Sequence, residues 1–436
     1  MSSDSLTQPR ADHSRPQNSG GGGARDYALD YIRRVRGGEM GSIPGIIGLV
    51  VLAIFFSILK GGFLDAYNVE NMVVYGAPTI VMAMGLIFVL LLGEIDLSAG
   101  TAGGVCSVLA AVEMVRHQMN WVLAVVLAAV LGAVIGMIIG WLRAKVGIPS
   151  FVITLAAFLS FQGVTIIMVG NSGSILVPDS QKTLLALTSA STNDYMPIWA
   201  GWAMLAVVVV GYAAVKLRGV SKRMAENLSV EPYSVALAKV AVLAVLGAGF
   251  IYYMGYNRIV GVARSSFYGT LTSEGVPWIV PVVLILLFAG TYLLNRTRYG
   301  RHVFAVGGNE EAARRAGIRV NAIRTSVFVI CSFMAALSGL ISLSVSAGVA
   351  NNAGGGNTLL LAVGAAVIGG TSLFGGRGRI IDAVVGGLVV EIISWGMGDL
   401  ITGTNAPGWQ EVVTGLVLLL AAGFDAISRK AGSTQG

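Results

Sequence analysis

The sequence predicts an all-α polytopic membrane protein of about 12 transmembrane helices, with both termini cytoplasmic. Three observations carry that fold class. Of 436 residues, 55% are hydrophobic and 12% charged, against about 25% charged in a typical soluble domain. So little polar surface sets aside a soluble enzyme and a nucleic-acid binder. Residues 197–215, 278–294 and 325–347 hold no Asp, Glu, Lys or Arg, and each approaches the ~20 apolar residues that cross hydrocarbon as a helix. The cations are also segregated. With the amino terminus inside, 24 of the 29 Lys and Arg fall on cytoplasmic loops or their edges. Lys60, Arg116, Lys182, Arg258 and Arg264 lie outside. A positive-inside bias of that size orients the chain and accounts for most of the net charge of +7.

The elements follow in order. Residues 1–26 are polar and rich in Gly, Ser, Pro and Gln; they read as a disordered cytoplasmic tail without the apolar core of a signal peptide. Residues 27–41 form a basic juxtamembrane segment, in which Arg33, Arg34 and Arg36 face anionic lipid head groups. A membrane domain, 42–428, follows. Its apolar windows are 42–59, 75–92, 98–115, 121–142, 150–169, 197–215, 237–254, 278–294, 325–347, 359–373, 380–397 and 409–427. Residues 429–436 are a second cytoplasmic tail. Gly132, Gly136 and Gly140 recur at four-residue spacing on one face of the fourth window, a pattern for close helix packing. Cys106 and Cys331 both fall within windows, so a disulfide scaffold is not expected. His13, His117 and His302 are scattered, with no metal-ligand spacing.

Two windows end in breaks rather than loops. At 93–98 the chain reads Gly93-Glu94-Ile95-Asp96-Leu97-Ser98 and then continues apolar. A carboxylate in hydrocarbon costs several kcal/mol, so Glu94 and Asp96 are expected to face a cavity or a partner. Asp96 or Ser98 also suits a helix cap before the next window, and capping and pathway-lining are compatible. At 369–376 the chain reads Gly369-Gly370-Thr371-Ser372-Leu373-Phe374-Gly375-Gly376. The two breaks share Gly93/Gly369, Leu97/Leu373 and Gly100/Gly376, and both follow a window running from outside to inside. That suggests two halves related by a parallel repeat. Glu94, Asp96, Ser98, Thr371 and Ser372 are the candidate pathway residues.

The cytoplasmic loop 295–324 holds a short helix written into its own sequence. Asn309 is a good N-cap. Glu310 and Glu311 sit in the first turn and Arg314 and Arg315 in the last, each favoured by the helix dipole. Gly317 is placed for a left-handed C-cap.

These three segments together resemble the permease subunits of bacterial sugar ABC importers. Gly307–Ile318 resembles their cytoplasmic coupling segment, Gly93–Gly100 their Gly-Gly-Ile-Asp-Leu-Ser-Val-Gly signature, and Ile368–Gly376 their late Ile-Gly-Gly-Thr-Ser-Leu-x-Gly-Gly motif. The likeness covers about 45 to 428 in the family's order. Glu94, Pro149–Leu155, Trp409-Gln410 with Leu418–Asp425, and the window pair flanking 216–236 look most like the xylose-type branch. Asp382 departs from the family's usual Gly.

The resemblance implies a multi-pass protein of the bacterial plasma (inner) membrane that dimerises with a second copy of itself. It implies a transport subunit, not an enzyme, for a monosaccharide such as a xylose-like pentose. An extracytoplasmic sugar-binding protein would deliver the sugar, and a separate ATPase, using ATP and Mg, would dock on Gly308, Asn309, Glu310, Glu311, Ala312, Ala313, Arg314, Arg315 and Gly317. The chain itself would bind no cofactor, and it has no Gly-x-x-x-x-Gly-Lys-Ser/Thr run for a P-loop. The competing reading is an ion-coupled secondary transporter of a small polar solute, resting on Glu94, Asp96, Asp382 and Glu391. An intramembrane enzyme finds no Ser/His, metal or paired catalytic motif.

Overall fold

The computed structural model describes residues 41–178, 182–188, 194–226, 231–256, 274–401 and parts of 408–423. Both predicted tails and nearly all of the juxtamembrane segment lie outside these residues. The window 409–427 lies within them only in part.

Besides the single turn Lys182–Leu185, thirteen α-helices among the described residues build the fold. They are α1 (Ile43–Leu59), α2 (Ala66–Leu91), α3 (Ala99–Val115), α4 (Trp121–Trp141), α5 (Ser150–Val169), α6 (Ile198–Ala225), α7 (Tyr233–Met254), α8 (Ile279–Arg296), α9 (Arg298–Gly308), α10 (Glu310–Arg315), α11 (Val320–Ser346), α12 (Thr358–Gly369) and α13 (Ile380–Leu400). Eight of the helical segments are long and apolar enough to cross a membrane, so the protein is a polytopic, mostly helical membrane protein. Three predicted windows give shorter apolar helices, α1, α3 and α12. The shortfall is greatest at α12, where 359–373 was expected to span. Its 12 residues reach about 18 Å, well under the ~30 Å hydrocarbon core. Gly370, at φ +119°, ends it early. Both α3 and α12 border a break, the pattern of discontinuous membrane helices.

Residues 203–249, most of α6 and α7, cluster as one compact unit, and 37–202 with 250–436 as another. Within the first, Glu231 meets Lys216 Nζ at 2.9 Å and Lys239 Nζ at 2.8 Å. Burial raises the Glu231 carboxyl, but these two ammonium groups outweigh it and hold it below its usual range.

The second unit is organised around α11, which packs on α2, α3 and α4. The stripe Gly132, Gly136, Gly140 makes the α4 contact. A Cβ on Gly136 would fall 2.3 Å from the Phe328 carbonyl oxygen, so only glycine admits this approach. α13 packs on α12, α2 and α1. α2 is buried along most of its length, as a helix between two others must be. Arg116 donates to the Met168 and Val169 carbonyls at 2.9 and 2.8 Å, tying the end of α3 to the end of α5. One small sheet departs from all-α architecture: β1 (Ser174–Leu176) pairs antiparallel with β2 (Gly348–Ala350), Ile175 opposite Val349.

Candidate functional site: a three-glycine junction, an ion relay and a serine-lined cavity

The loop 295–324 carries two helices, where the sequence suggested one at 309–316. α9 precedes it, started by Thr297, whose hydroxyl accepts from Gly300 N at 3.2 Å. α10 forms where its caps place it. Asn309 Oδ1 accepts from Ala312 N at 2.9 Å, and Gly317 turns left-handed at φ +81°. Glu310 and Arg314 pair across one turn at 2.7 Å. Gly308, Asn309, Glu311, Ala312, Arg314, Arg315 and Gly317 are exposed, Glu310 is half-buried, and Ala313 is buried beneath them. α10 therefore presents a charged outer face above the buried Ala313 methyl.

Both breaks and this loop meet at one end of the bundle. Gly93 leaves helical geometry at φ +70°. Gly376 N donates to the Leu91 carbonyl at 2.8 Å. A Cβ on Gly307 would lie 1.8 Å from the same oxygen, and one on Gly375 would lie 3.0 Å from Gly93 N and 3.1 Å from Gly307 O. Three glycine backbones thus touch where the sequence places three separate motifs.

Charge connects the same parts. Arg324 Nη2 reaches Glu310 Oε2 at 2.7 Å, and Arg324 Nε lies 3.0 Å from Glu94 Oε1. The second contact is electrostatic rather than an aligned hydrogen bond. Arg143 Nη2 sits 2.8 Å from Glu94 Oε1, and Arg143 Nε donates to both Glu94 oxygens at 2.9 and 3.1 Å. Arg324 is about nine-tenths buried (side chain 9% exposed). Among the described residues, it is the side chain whose ion pairs bridge α10 and the first break. Arg324 is absent from the sequence-derived candidates; its place as the last residue of the predicted loop 295–324 hid its burial.

The other four pathway candidates are engaged locally. Asp96 Oδ1 accepts from Ser98 N and Ser98 Oγ at 2.9 and 2.6 Å, closing the turn that leads into α3; no side chain caps the helix itself. Thr371 Oγ1 donates to Asp382 Oδ2 at 3.1 Å. Asp382 also accepts from Arg379 N at 2.8 Å and from Ser42 Oγ, which fastens the start of α1 to the second break. Ser372 Oγ accepts from Phe374 N at 3.3 Å. All four are buried.

A cavity of about 320 Å³ opens toward the β1–β2 end, bounded by α2, α3, α11 and both strands. Its polar wall includes Ser107, Ser338, Ser342, Ser346, Asn352 and Thr358, and none of the five candidates lines it. Ser342 and Ser346 stand open to it, and Ser338 Oγ donates to the Pro78 carbonyl at 2.7 Å. The signal was present in the sequence: Ser338, Ser342 and Ser346 recur every four residues, one helical face.

Residues 68–422 match the family model described as branched-chain amino acid transport system / permease component, and the chain belongs to that permease family. It is 32% identical over 386 residues to the xylose transport system permease protein of Escherichia coli strain K12, covering 88% of this chain and 91% of that one. The protein of the same description from Haemophilus influenzae is 31% identical, covering 88% and 96%. The ribose import permease protein of Escherichia coli strain K12 is 28% identical over 380 residues, covering 87% and 92%. No solved structure matches the chain significantly.

Proposed function

We propose that the chain is the membrane-spanning subunit of an ATP-driven importer for a monosaccharide, a xylose-like pentose above all. It sits in the bacterial inner membrane with twelve spans and both termini inside, and works as a homodimer. The observation that carries this reading is the junction of coupling helix and breaks, in a chain whose relatives are named as sugar permeases. α10 offers an exposed charged face to a soluble ATPase. Displacing it pulls Glu310, then Arg324, then Glu94, and presses Gly307 against both breaks. Coupled through this contact, ATP binding outside the membrane switches the side to which the pathway opens.

The serine-lined cavity supplies the outer pathway. Hydroxyls hold a polyol by exchangeable hydrogen bonds, each worth only about 0.5–1.5 kcal/mol net, which suits a gate that must release its cargo. At about 320 Å³ it lies at the small end of ligand pockets, ~300–1,000 Å³. Ser98 lies two residues from Gly100, which lines the cavity. Glu94, Asp96, Ser98, Thr371 and Ser372 then form the inner gate.

The test is reconstitution with the partner ATPase and binding protein. Glu310→Arg or Arg314→Glu should leave insertion intact and uncouple hydrolysis from uptake; wild-type uptake would remove the coupling role of α10. Filling the cavity with Ser342→Leu should slow uptake, by about fivefold to 150-fold if the obstruction raises the barrier by about 1–3 kcal/mol, while ATP hydrolysis continues. Normal uptake would place the pathway elsewhere.

One observation favours an ion-coupled alternative. Glu391 is 9% exposed within α13 and has no hydrogen bond or ion pair among the described residues. Intramembrane carboxylates of this kind often carry ions. Uptake by vesicles holding this chain alone, driven by an ion gradient, would establish that reading over the first.

A further inference from the structure

A groove of about 1260 Å³ runs between α4, α8 and α11 beside the ion relay. Its two walls differ in chemistry. Met137, Trp141, Leu293 and Val329 form an apolar wall on membrane helices. Arg143, Lys145, Arg314, Arg319 and Arg324 form the opposite, cationic edge where those helices meet the loops.

The charges there do not cancel. The carboxylates in ion pairs with this edge are Glu94, Glu310 and Glu311, held by Arg143, Arg314 and Arg324. Lys145 and Arg319 are exposed and have no ion pair among the described residues. Two uncompensated cations therefore flank the mouth of a groove whose wall is hydrocarbon-like. Tyr299 also lines it. Burial pushes its hydroxyl up to about 12, so it stays neutral and bonds Ser326 Oγ at 2.9 Å.

We propose that this groove binds one anionic phospholipid, with its phosphate between Lys145 and Arg319 and an acyl chain along Met137 and Trp141. A basic pocket between helices at the cytoplasmic face is the form such sites take. Free phosphate would use the cations but leave the apolar wall unfilled; a lipid uses both. The site rests on the inner-face orientation proposed above. Arg314 and Arg324 belong to both groove and relay, so the head group sits against the coupling machinery.

The experiment uses the full chain in neutral detergent, titrated with phosphatidylglycerol or phosphatidylcholine and read by native mass spectrometry. Wild type should retain phosphatidylglycerol in preference, and inorganic phosphate should not displace it. Lys145→Ala/Arg319→Ala should weaken retention by about twentyfold, from roughly fivefold per cation at an anionic surface. Lys222→Ala/Arg223→Ala removes equal charge from the end of α6 and should change nothing. Equal loss in both double variants would mean general surface potential and overturn the site, as would no loss in either. Undiminished lipid retention in Lys145→Ala/Arg319→Ala, with weaker capture of the partner ATPase by that variant in a parallel pull-down, would make the groove a protein-docking surface and overturn it too. None of these outcomes bears on whether the chain imports sugar, which the reconstitution tests separately.

Discussion

Arg324→Ala is expected to cut sugar uptake per ATP hydrolysed by tens of fold while the protein still folds. Among the described residues, Arg324 is the one that forms ion pairs with both Glu310 and Glu94. Its loss leaves neither acid bare, because Glu94 keeps Arg143 and Glu310 keeps Arg314. The buried carboxylate therefore escapes the 3–5 kcal/mol (roughly) that an uncompensated buried charge costs. What disappears is the connection. Coupling free energies between sites are typically about 1–3 kcal/mol, or roughly 5–150-fold. Arg324→Lys should restore only part of the coupling, since an ammonium is a point charge and lacks the planar fork that reaches two carboxylates at once. The measurement is uptake and hydrolysis in the same proteoliposomes. Unchanged stoichiometry in Arg324→Ala would show that the motion of α10 travels by packing alone.

The second large effect concerns packing. Gly307→Ala is expected to destabilise the protein by about 3 kcal/mol or more, the upper end of overpacking. Its new methyl would lie 1.8 Å from the Leu91 carbonyl oxygen. That oxygen belongs to backbone and already accepts Gly376 N. It cannot step aside without parting the two breaks. Gly308→Ala is the control one residue away. Nothing lies within 4 Å of its Cβ position, and Ala favours helix over Gly by about 1 kcal/mol. A thermal melt in detergent should therefore show a large loss for the first and none for the second. Matching melting temperatures would mean that the junction is open in the working protein.

Much of this was legible from residue order. The caps of α10 are local chemistry, so Asn309 and Gly317 announce it without any tertiary information. The breaks are equally local, because glycine beside an acid or a hydroxyl interrupts an apolar run visibly. The stripe Gly132, Gly136, Gly140 declared its own packing face. The roles at the breaks were less legible. A carboxylate between apolar windows suits both a cavity and a partner. Glu94 takes cations 49 and 230 residues away in sequence (Arg143 and Arg324), and Asp96 takes Ser98 in its own turn. The extent of α12 was misjudged for a similar reason: hydropathy continues through Leu373, whereas the backbone turns at Gly370.

Sequence alone determined that this chain lies in a membrane and which segments interrupt its helices. Both depend on transfer free energy and local backbone freedom, which each residue carries with it. Tertiary structure alone decided that the two breaks and the loop 295–324 form a single junction, that Arg324 is its bridge, and that the open hydroxyls lie on α11. These depend on distances between residues far apart in the chain, and such distances are set only when α11 is packed against α2, α3 and α4.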